Sequence, residues 1–355
     1  MDLPVQPPVL PMLAKRVDAL PDGDGFSYEP KWDGFRALIF RDGGEIQIQS
    51  REEKPLNRYF PELVEALTAQ LPERCVLDGE IVIVQGSELD FDSLQMRLHP
   101  AASRVKLLSG QIPASIVFFD VLAEGDRDLR GQPFQQRRRE LEKLLKGARP
   151  PLHLTPATRD IQVAADWFRR FEGAGLDGVV AKPVDGIYES NKRVMFKVKH
   201  ERDCDCVVAG FRWYRKGEKT EIGSLLLGLF DDERTLHHVG VCASFTAERR
   251  KELVEFLAPY RKNAMDDHPW KDWAGAGHRI PGAESRWSQG KDLSWEPLRP
   301  ELVAEVAYEH MQGSRFRHMA HFRRWRSDKP PSQCTYAQLE VVPALEIAEI
   351  FGRGR

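Results

Sequence analysis

Apolar and polar residues alternate over short stretches of the first 200 residues, a spacing that predicts β-strands. Residues 35–41 and 45–49 alternate on either side of Asp42-Gly43-Gly44, a turn sequence that predicts a hairpin. Further strands are expected at 76–84 (interrupted by Asp78-Gly79), 116–119, 178–181 and 194–198, and helices at 58–71, 134–145 and 163–171. The first 25 residues are rich in Pro and Asp, and we expect them to lie on the surface.

The pattern changes after Lys199. Short apolar runs are separated by turn residues and predict strands at 206–210, 225–230, 236–242 and 302–308, with one helix at 247–257. Short strands with a single helix are typical of a small barrel of the OB type. The sequence therefore predicts an α+β protein with two domains. Residues 1–202 would form antiparallel sheets with flanking helices, and residues 203–355 an OB-fold β-barrel with a C-terminal tail.

Composition supports a globular protein. The chain has 355 residues, 41% hydrophobic and 30% charged, which is ordinary for two folded domains. No apolar run approaches the roughly 18 residues of a membrane span, and the N-terminus lacks the basic and apolar regions of a secretory signal. Five cysteines do not suggest a disulfide framework, and Cys204-x-Cys206 has no second pair at zinc spacing. We expect a cytoplasmic protein without structural zinc.

Net charge is only −2, so bulk charge cannot drive binding to a polyanion. One segment is nevertheless strongly basic: residues 313–329 carry six Arg or Lys, among them Arg315 and Arg317, against the single acid Asp328. Phe316, Phe322 and Trp325 are interleaved with these charges. A solvated basic face is one interpretation of this segment. The aromatic residues favour a docked segment that faces an anion.

One short motif carries the first chemical signal. Lys31-Trp32-Asp33-Gly34 fits the pattern Lys-x-Asp-Gly, which suits either a surface lysine before a turn or a nucleophilic lysine at a strand end. A free lysine has a pKa near ~10.4, so attack on phosphorus requires burial or neighbouring cations that help it lose a proton. The chain contains no Gly-x-x-x-x-Gly-Lys-Ser/Thr loop, so a nucleotide would not be held by a P-loop.

Further motifs follow in a defined order. They are Ser50-Arg51, Leu77-Asp78-Gly79-Glu80, Phe118-Phe119-Asp120, Leu176-Asp177-Gly178-Val179-Val180-Ala181-Lys182, Met195-Phe196-Lys197-Val198-Lys199 and Arg326-Ser327-Asp328-Lys329. In this order, the motifs resemble those of the covalent nucleotidyltransferases, which comprise ATP-dependent DNA ligases, RNA ligases and messenger-RNA capping enzymes. The greatest similarity is to the bacterial ligase C type, which acts in end joining and repair. The resemblance covers about residues 26–330 and implies an adenylation domain followed by the OB domain.

The resemblance also implies roles for single residues. Lys31 would be the residue that becomes adenylated. Other positions would hold the nucleotide: Glu29 at the adenine, Arg36 and Glu80 at the ribose, Phe119 stacked on the base, Arg51 at the AMP phosphate or the 5′-phosphate of a nick, Lys197 and Lys199 at the α-phosphate, and Arg326 and Lys329 at the pyrophosphate. Arg51, Arg193, Arg315 and Arg317 would contact DNA.

Two carboxylates are candidate metal ligands. Asp177 lies where the family has a metal-binding carboxylate, usually glutamate, and Glu80 could supply a second oxygen ligand for Mg²⁺ or Mn²⁺. The aspartate is one methylene shorter than the usual residue. We therefore expect that metal contact at Asp177 could be mediated by water.

Three alternatives to an ATP-dependent DNA ligase are considered. An NAD-dependent ligase would carry an extra domain before the motif, and only 30 residues precede Lys31. An RNA ligase or a GTP-dependent capping enzyme shares the motifs, but the region of Arg326 to Lys329 favours a DNA ligase. A non-catalytic DNA clamp would have no need for intact lysines. We expect a monomer, associated with the nucleoid rather than a membrane, that binds nicked or broken duplex DNA and possible repair-polymerase or end-binding partners.

Overall fold

The computed structural model describes residues 1–215, 219–271, 294–340, 342–343, 345–347 and 350. The chain divides into two compact units. The first contains residues 1–199 and the described residues from 342 onward, and the second contains the described residues of 200–341. Each unit has its own hydrophobic core.

The first unit is built from two main sheets with flanking helices. Its strands are β1 (Leu13–Arg16), β2 (Phe26–Pro30), β3 (Phe35–Asp42), β4 (Glu45–Ser50), β5 (Arg74–Val82), β6 (Val84–Gln85), β7 (Glu88–Leu89), β8 (Ser115–Glu124), β9 (Arg127–Asp128), β10 (Leu152–Leu154), β11 (Val179–Pro183) and β12 (Arg193–Val198). Its helices are α1 (Pro61–Gln70), α2 (Phe91–Met96), α3 (Ala102–Gln111), α4 (Phe134–Leu144) and α5 (Ile161–Arg170).

One sheet has the strand order β1-β12-β11-β2, and the other has the order β10-β8-β5-β3-β4 with β9 paired to β8. Most neighbours are antiparallel, as predicted, and β3 and β4 form the expected hairpin with Asp42 opposite Glu45. Two pairs are parallel, however: β1 with β12 and β10 with β8. Parallel neighbours need a long crossover connection, so local sequence patterns did not reveal them.

The N-terminal segment is not a surface wrapping, so that expectation was wrong. Leu3, Val5, Val9 and Met12 are buried against β3, β5 and β8. The side chain of Gln49 holds the segment in place, because it donates to Val9 O at 2.6 Å and accepts from Val9 N at 3.1 Å. The apolar residues of the segment are spaced by prolines, which hid their contribution to the core.

The predicted interruption of the strand at Asp78-Gly79 was also wrong. Strand β5 runs unbroken through both residues and pairs with β3 along its length. The turn signal instead marks an irregularity in the pairing of β5 with β8, between Asp78 and Gly79. A Cβ at Gly79 would lie 2.7 Å from Val117 O, so glycine allows the close approach of β8.

The second unit is a closed five-stranded barrel in the order β13-β14-β15-β19-β16. Its elements are β13 (Arg202–Trp213), β14 (Ile222–Phe230), β15 (Leu236–Ala243), α6 (Ala247–Arg261), β16 (Glu296–Tyr308), β17 (Met311–Gln312), β18 (Arg315–Phe316) and β19 (Ala320–Trp325). Sequence analysis predicted four of the barrel strands and the helix, although the strands extend further. It did not predict β19, because the strand lies inside the basic segment 313–329.

The C-terminal tail departs from the predicted domain division. The described tail residues belong with the first unit, where Leu345 N donates to Gly173 O at 3.0 Å and Ile347 N donates to Ser87 O at 2.7 Å. Ile347 and Ile350 are buried in the cluster that contains Trp167. The apolar spacing of the tail supplies this packing, but its partners lie more than a hundred residues away in sequence. Within the described parts of the chain, no helix is both long and apolar enough to cross a membrane.

Candidate active site

A cavity in the first unit is lined by eight of the predicted site residues. They are Glu29, Lys31, Arg36, Arg51, Glu80, Phe119, Arg193 and Lys197. The N-terminal segment contributes part of the wall through Pro11, Met12, Leu13 and Ala14. Two further predicted residues lie next to this lining. Asp177 forms an ion pair with Lys31, and Lys199 forms an ion pair with Asp177.

Lys31 lies at the mouth of a tight turn between β2 and β3. A Cβ at Gly34 would lie 2.0 Å from Ile81 O, so only glycine lets this turn pass so close to β5. Trp32 is buried and donates from Nε1 to Thr155 Oγ1 at 2.8 Å, which anchors the turn. The spacing Lys-x-Asp-Gly therefore combines a partly exposed lysine with a turn that the surrounding backbone fixes.

The backbone brings Lys31 and Asp177 together. Lys31 N donates to Gly178 O at 2.9 Å, and Asp177 N donates to Lys31 O at 2.9 Å. Gly178 has φ +128°, and a Cβ there would lie 2.0 Å from Val198 O, so glycine is needed at this position as well. These contacts place the two side chains on the same side of the junction between β2 and β11.

The carboxylate of Asp177 is shared by two lysines. Asp177 Oδ2 accepts from Lys31 Nζ at 2.6 Å and lies 2.9 Å from Lys199 Nζ. Burial acts to raise the pKa of Asp177, but the two ammonium groups outweigh burial and hold that pKa well below its usual range. Asp177 is therefore ionised at any pH near neutrality, and it can fix the position of the Lys31 amine.

Arg36 and Glu80 are direct neighbours across β3 and β5. Arg36 makes a bidentate ion pair with the buried Asp78, at 2.5 Å from Nε to Oδ1 and 2.6 Å from Nη2 to Oδ2. Burial raises the pKa of Glu80 to about 7, although Arg36 and Lys31 act to lower it. Glu80 thus changes its charge near neutral pH, next to the lysine of the motif.

Phe119 lies close to two cations in the cavity lining. The Arg36 guanidinium is 4.6 Å from the ring centroid, and Lys182 Nζ is 4.8 Å from it. Lys182 also donates to Phe119 O at 2.9 Å and pairs with Glu29 Oε2 at 2.7 Å. The ring is only 8% exposed, yet it lines the cavity, so it is both a core residue and a surface for a planar ligand.

The remaining predicted residues lie in the second unit. Arg326 and Lys329 both contact Asp205, whose carboxylate is 3.0 Å from Arg326 Nη1 and 2.8 Å from Lys329 Nζ. Arg315 Nη2 lies 3.0 Å from His238 Nδ1, and Arg317 is partly exposed. In the same segment, Arg323 pairs with Glu201 and Asp203, and Arg324 pairs with Glu305, at exposed positions of the second unit.

Sequence reasoning missed several residues of this site. Lys182, Asp78 and Tyr188 all belong to motifs quoted above or lie close to them, but no role was assigned to their side chains. Tyr188 is buried, donates to Asp78 Oδ2 at 2.6 Å and accepts from Met12 N at 3.2 Å. Asp78 precedes Glu80 in the same motif, so its presence in the pattern was the available signal.

Comparisons with known proteins cover both units. Residues 11–199 match the ATP dependent DNA ligase domain, and residues 218–329 match the ATP dependent DNA ligase C terminal region. This chain belongs to the ATP-dependent DNA ligase family. The ligase is 54% identical over 349 residues to DNA ligase C2 of Mycolicibacterium smegmatis, with 97% of each chain covered. It is 52% identical over 358 residues to DNA ligase C of Mycobacterium tuberculosis, with 99% of each chain covered.

These relatives confirm the resemblance to the bacterial ligase C type and the prediction of an ATP-dependent DNA ligase. A solved structure of a Lig E DNA ligase, described as binding DNA with a minimal scaffold, shares the fold with a TM-score of 0.55 and 16% identity. It covers 89% of this ligase and 99% of its own chain. These comparisons do not favour the alternative hypothesis of an RNA ligase or a capping enzyme.

Proposed function

We propose that this ligase seals breaks between a 3′-hydroxyl and a 5′-phosphate in duplex DNA, as part of DNA repair. Lys31 attacks the α-phosphate of ATP and forms a phosphorus–nitrogen bond while pyrophosphate leaves. The adenylate then moves to the 5′-phosphate of the break, and the 3′-hydroxyl finally displaces AMP. The observation that carries the proposal is the Lys31 amine, which Asp177 holds at 2.6 Å beside the cavity.

Glu29 and Phe119 of the cavity lining suit adenine. Glu29 is buried, and its carboxylate can accept a hydrogen bond from the exocyclic amino group of adenine. Guanine would present its O6 acceptor there, and two acceptors repel each other. The Phe119 ring provides a stacking surface. These contacts support ATP rather than GTP as the nucleotide.

The ribose would lie over Arg36 and Glu80, which are neighbours on β3 and β5. Both side chains line the same cavity as Lys31 and Phe119. A guanidinium can donate to ribose hydroxyls, and a carboxylate can accept from them. Their side-by-side placement supports a role in fixing the sugar, and thereby the distance from the α-phosphate to Lys31.

The phosphates would meet a group of cations. Lys197 and Arg51 line the cavity, and Lys199 reaches Asp177 beside the nucleophile. Phosphoryl transfer depends mostly on positioning and on neutralising the charge that develops on phosphate oxygens. Lys197 and Lys199 would stabilise the α-phosphate, whereas Arg326 and Lys329 of the second unit would orient the pyrophosphate during adenylation of the enzyme.

The carboxylates fit the oxygen ligands that Mg²⁺ prefers. Asp177 is ionised at neutral pH, and Glu80 is partly so, since burial raises its pKa to about 7. When bound by these residues, Mg²⁺ or Mn²⁺ would supply positive charge to the phosphates. Because Lys31 Nζ already contacts the Asp177 carboxylate, we propose that Asp177 would contact the metal through water.

The second unit has features of an OB domain. Its five strands close in the order first, second, third, fifth, fourth, with α6 between the third and the fourth. The third and fifth strands, β15 and β19, are parallel neighbours. This arrangement supports a five-stranded Greek-key barrel of the OB type, a fold that binds nucleic acids. We assign the adenylation function to the preceding unit.

Contacts to DNA would involve Arg51, Arg193, Arg315 and Arg317. Arg51 and Arg193 are exposed and line the cavity, so they are accessible to a 5′-phosphate. Contacts of this kind go to the backbone and carry no sequence information. Binding to nicked duplex should weaken with salt, with a log–log slope of roughly −0.9 per phosphate contacted. Partners from end joining or a repair polymerase would deliver the broken ends.

The proposal is tested with a nicked duplex that carries a labelled 5′-phosphate. With ATP and Mg²⁺, the expected products are first an adenylated DNA strand and then the sealed strand. Replacing ATP by GTP should give neither product. The same protein with Lys31→Ala should bind the nick but should not seal it. Sealing by the Lys31→Ala protein, or sealing with GTP alone, would contradict the proposal.

A further inference from the structure

Asp205 connects the two cations that end the ordered series of motifs. It lies on β13, is buried, and was not singled out by any sequence pattern. Its carboxylate accepts from Arg326 Nη1 at 3.0 Å and 3.1 Å and from Lys329 Nζ at 2.8 Å. Among the described contacts of Arg326 and Lys329, Asp205 is the group that touches both side chains.

Both the backbone N–H and the backbone carbonyl of Asp205 are held by hydrogen bonds. Asp205 N donates to Gln338 Oε1 at 2.8 Å, and Gln338 Nε2 donates to Asp205 O at 2.9 Å. The residue also sits inside the β13–β16 pairing, opposite Glu305. The carboxylate therefore projects from a rigid position, whereas its two cationic partners lie on the turn that follows β19.

The Arg326 guanidinium also contacts two other carboxylates, those of Asp328 and Glu305. Nε and Nη2 donate to the carboxylate of Asp328, at 3.0 Å and 2.8 Å, and Nη1 also lies 3.3 Å from Glu305. Asp328 is on the same turn as Arg326, so it can orient the guanidinium but cannot tie the turn to the barrel. Glu305 of β16 and the backbone bond from Arg326 N to Val303 O connect Arg326 to the barrel, and Asp205 connects both Arg326 and Lys329 to it.

Long cationic side chains lose much rotamer freedom when they are held in one position. Side chains that are already held by a rigid neighbour lose less when they bind a ligand, and they meet it in a defined geometry. The proposed pyrophosphate contact needs both Arg326 and Lys329 at once. A shared anchor would bring the two donors together before the nucleotide arrives.

We infer that Asp205 is a positioning residue for enzyme adenylation, because it holds Arg326 and Lys329 in the arrangement that orients the pyrophosphate. The inference rests on the proposed function of these two cations. It is specific to the first chemical step, since pyrophosphate takes part in neither the transfer to DNA nor the final sealing. A purely structural role would affect all steps alike.

The test compares two reactions of the same protein. The Asp205→Asn variant keeps the size of the side chain and removes its charge. We measure the rate of lysyl-adenylate formation with labelled ATP on enzyme first freed of AMP by pyrophosphate. We also measure the rate at which the same enzyme seals a nick that already carries adenylate. The expected result is about a tenfold slower adenylation with sealing of the pre-adenylated nick changed by less than about twofold.

Asp203→Asn is the matched control. Asp203 lies on the same strand, two residues earlier, and pairs with Arg323 at 3.3 Å instead of Arg326 or Lys329. This variant should leave both rates unchanged. An Asp205→Glu variant, which restores the charge, should recover part of the adenylation rate.

Other results overturn the inference. Equal slowing of both reactions by Asp205→Asn would assign Asp205 a structural role. Faster adenylation would mean that Asp205 competes with the nucleotide for the two cations. An Arg326→Ala variant separates this inference from the proposed function. If Arg326→Ala adenylates normally, the role proposed for Arg326 fails; if it is slow while Asp205→Asn is normal, only the role of Asp205 fails.

Discussion

Lys31 and Asp177 are 146 residues apart in sequence, but their side chains meet at 2.6 Å from Nζ to Oδ2. The contact is reinforced by the backbone, because Asp177 N donates to Lys31 O at 2.9 Å. The proposed nucleophile is therefore held by a carboxylate that the fold places beside it. Asp177 does not act as a strong base, since Lys31 and Lys199 keep its pKa far below neutrality despite its burial.

Asp177→Asn should slow adenylation of the enzyme. The amide keeps the shape of the side chain but cannot form a charge-assisted hydrogen bond with Lys31, and such bonds contribute about 1.5–3 kcal/mol. We expect adenylation to be roughly 10- to 100-fold slower, measured with labelled ATP in a single turnover. Asp166→Asn, at an exposed ion pair on α5, is the control and should be normal. An unchanged rate for Asp177→Asn would show that the contact is dispensable.

Glu80 predicts a pH dependence of nucleotide binding. Burial raises its pKa to about 7, so the side chain gains a proton as the pH falls from 8 to 6 and then loses its ability to accept as a carboxylate. The KM for ATP in enzyme adenylation should rise over that range. In the Glu80→Gln variant, the KM for ATP should be high at every pH and should not show this change between pH 8 and pH 6. The same pH profile in both proteins would exclude Glu80 as its source.

The raised pKa of Glu80 also predicts that the stability of the fold depends on pH. The pKa of Glu80 in the folded state, about 7, is higher than its ordinary value, so folding favours the protonated form. This stabilisation is complete at pH values below the ordinary pKa and is lost as the pH rises through about 7. Glu80→Gln should therefore raise the melting temperature, relative to the unchanged protein, more at pH 8 than at pH 5. A difference independent of pH would contradict this assignment.

Tyr188→Phe should weaken both stability and ATP binding. The hydroxyl donates to Asp78 Oδ2 and accepts from Met12 N, so it links the partner of Arg36 to the N-terminal wall of the cavity. Leaving these buried groups without their partner should cost about 1–3 kcal/mol in the free energy of unfolding. The KM for ATP should increase as well.

Tyr336→Phe is the control for Tyr188→Phe. Its hydroxyl also makes a hydrogen bond, to Ser314 O at 2.9 Å, but the residue belongs to the barrel unit. It should leave the KM for ATP in adenylation unchanged. If both variants change that KM equally, the effect does not come from the cavity wall.

Phe119→Leu should raise the KM for ATP about tenfold, because stacking of a base on an aromatic ring contributes about 1–3 kcal/mol. The adjacent Phe118→Leu is the control. Phe118 is fully buried in the core on the same strand but is not part of the cavity lining, so its replacement should lower the melting temperature without changing KM. Equal effects of the two variants on KM would argue against stacking on Phe119.

Local patterns predicted the elements whose partners are close in sequence. The hairpin of β3 and β4 follows from its turn, and α4 and α5 follow from their apolar period. Strand β1 could not be predicted in this way, because it pairs in parallel with β12, about 180 residues later. Strand β19 was hidden by its charges, because it contains the adjacent residues Arg323 and Arg324, of which Arg324 pairs with Glu305 of the neighbouring strand β16.

In the candidate site, too, some features could be predicted from local sequence and others depend on residues that are distant in sequence. Motif order pointed to residues that line the cavity, although not all of them lie at strand ends or turns: Glu80 is inside β5 and Phe119 is inside β8. It did not reveal what holds them. Lys182 contacts Glu29 and Phe119, Asp78 contacts Arg36, and Asp205 contacts Arg326. The residues of each contact are far apart in sequence and meet only in the folded protein. Such supporting contacts depend on tertiary packing, which no local spacing records.

The central claim is that Lys31 becomes covalently adenylated. The most direct measurement is mass spectrometry of the intact protein, freed of AMP and then incubated with ATP and Mg²⁺, followed by mapping of the modified peptide. We predict a mass increase of one AMP on the peptide that contains Lys31, reversed by pyrophosphate and missing in Lys31→Arg. An adduct on another residue, or an adduct that persists in Lys31→Arg, would contradict the account.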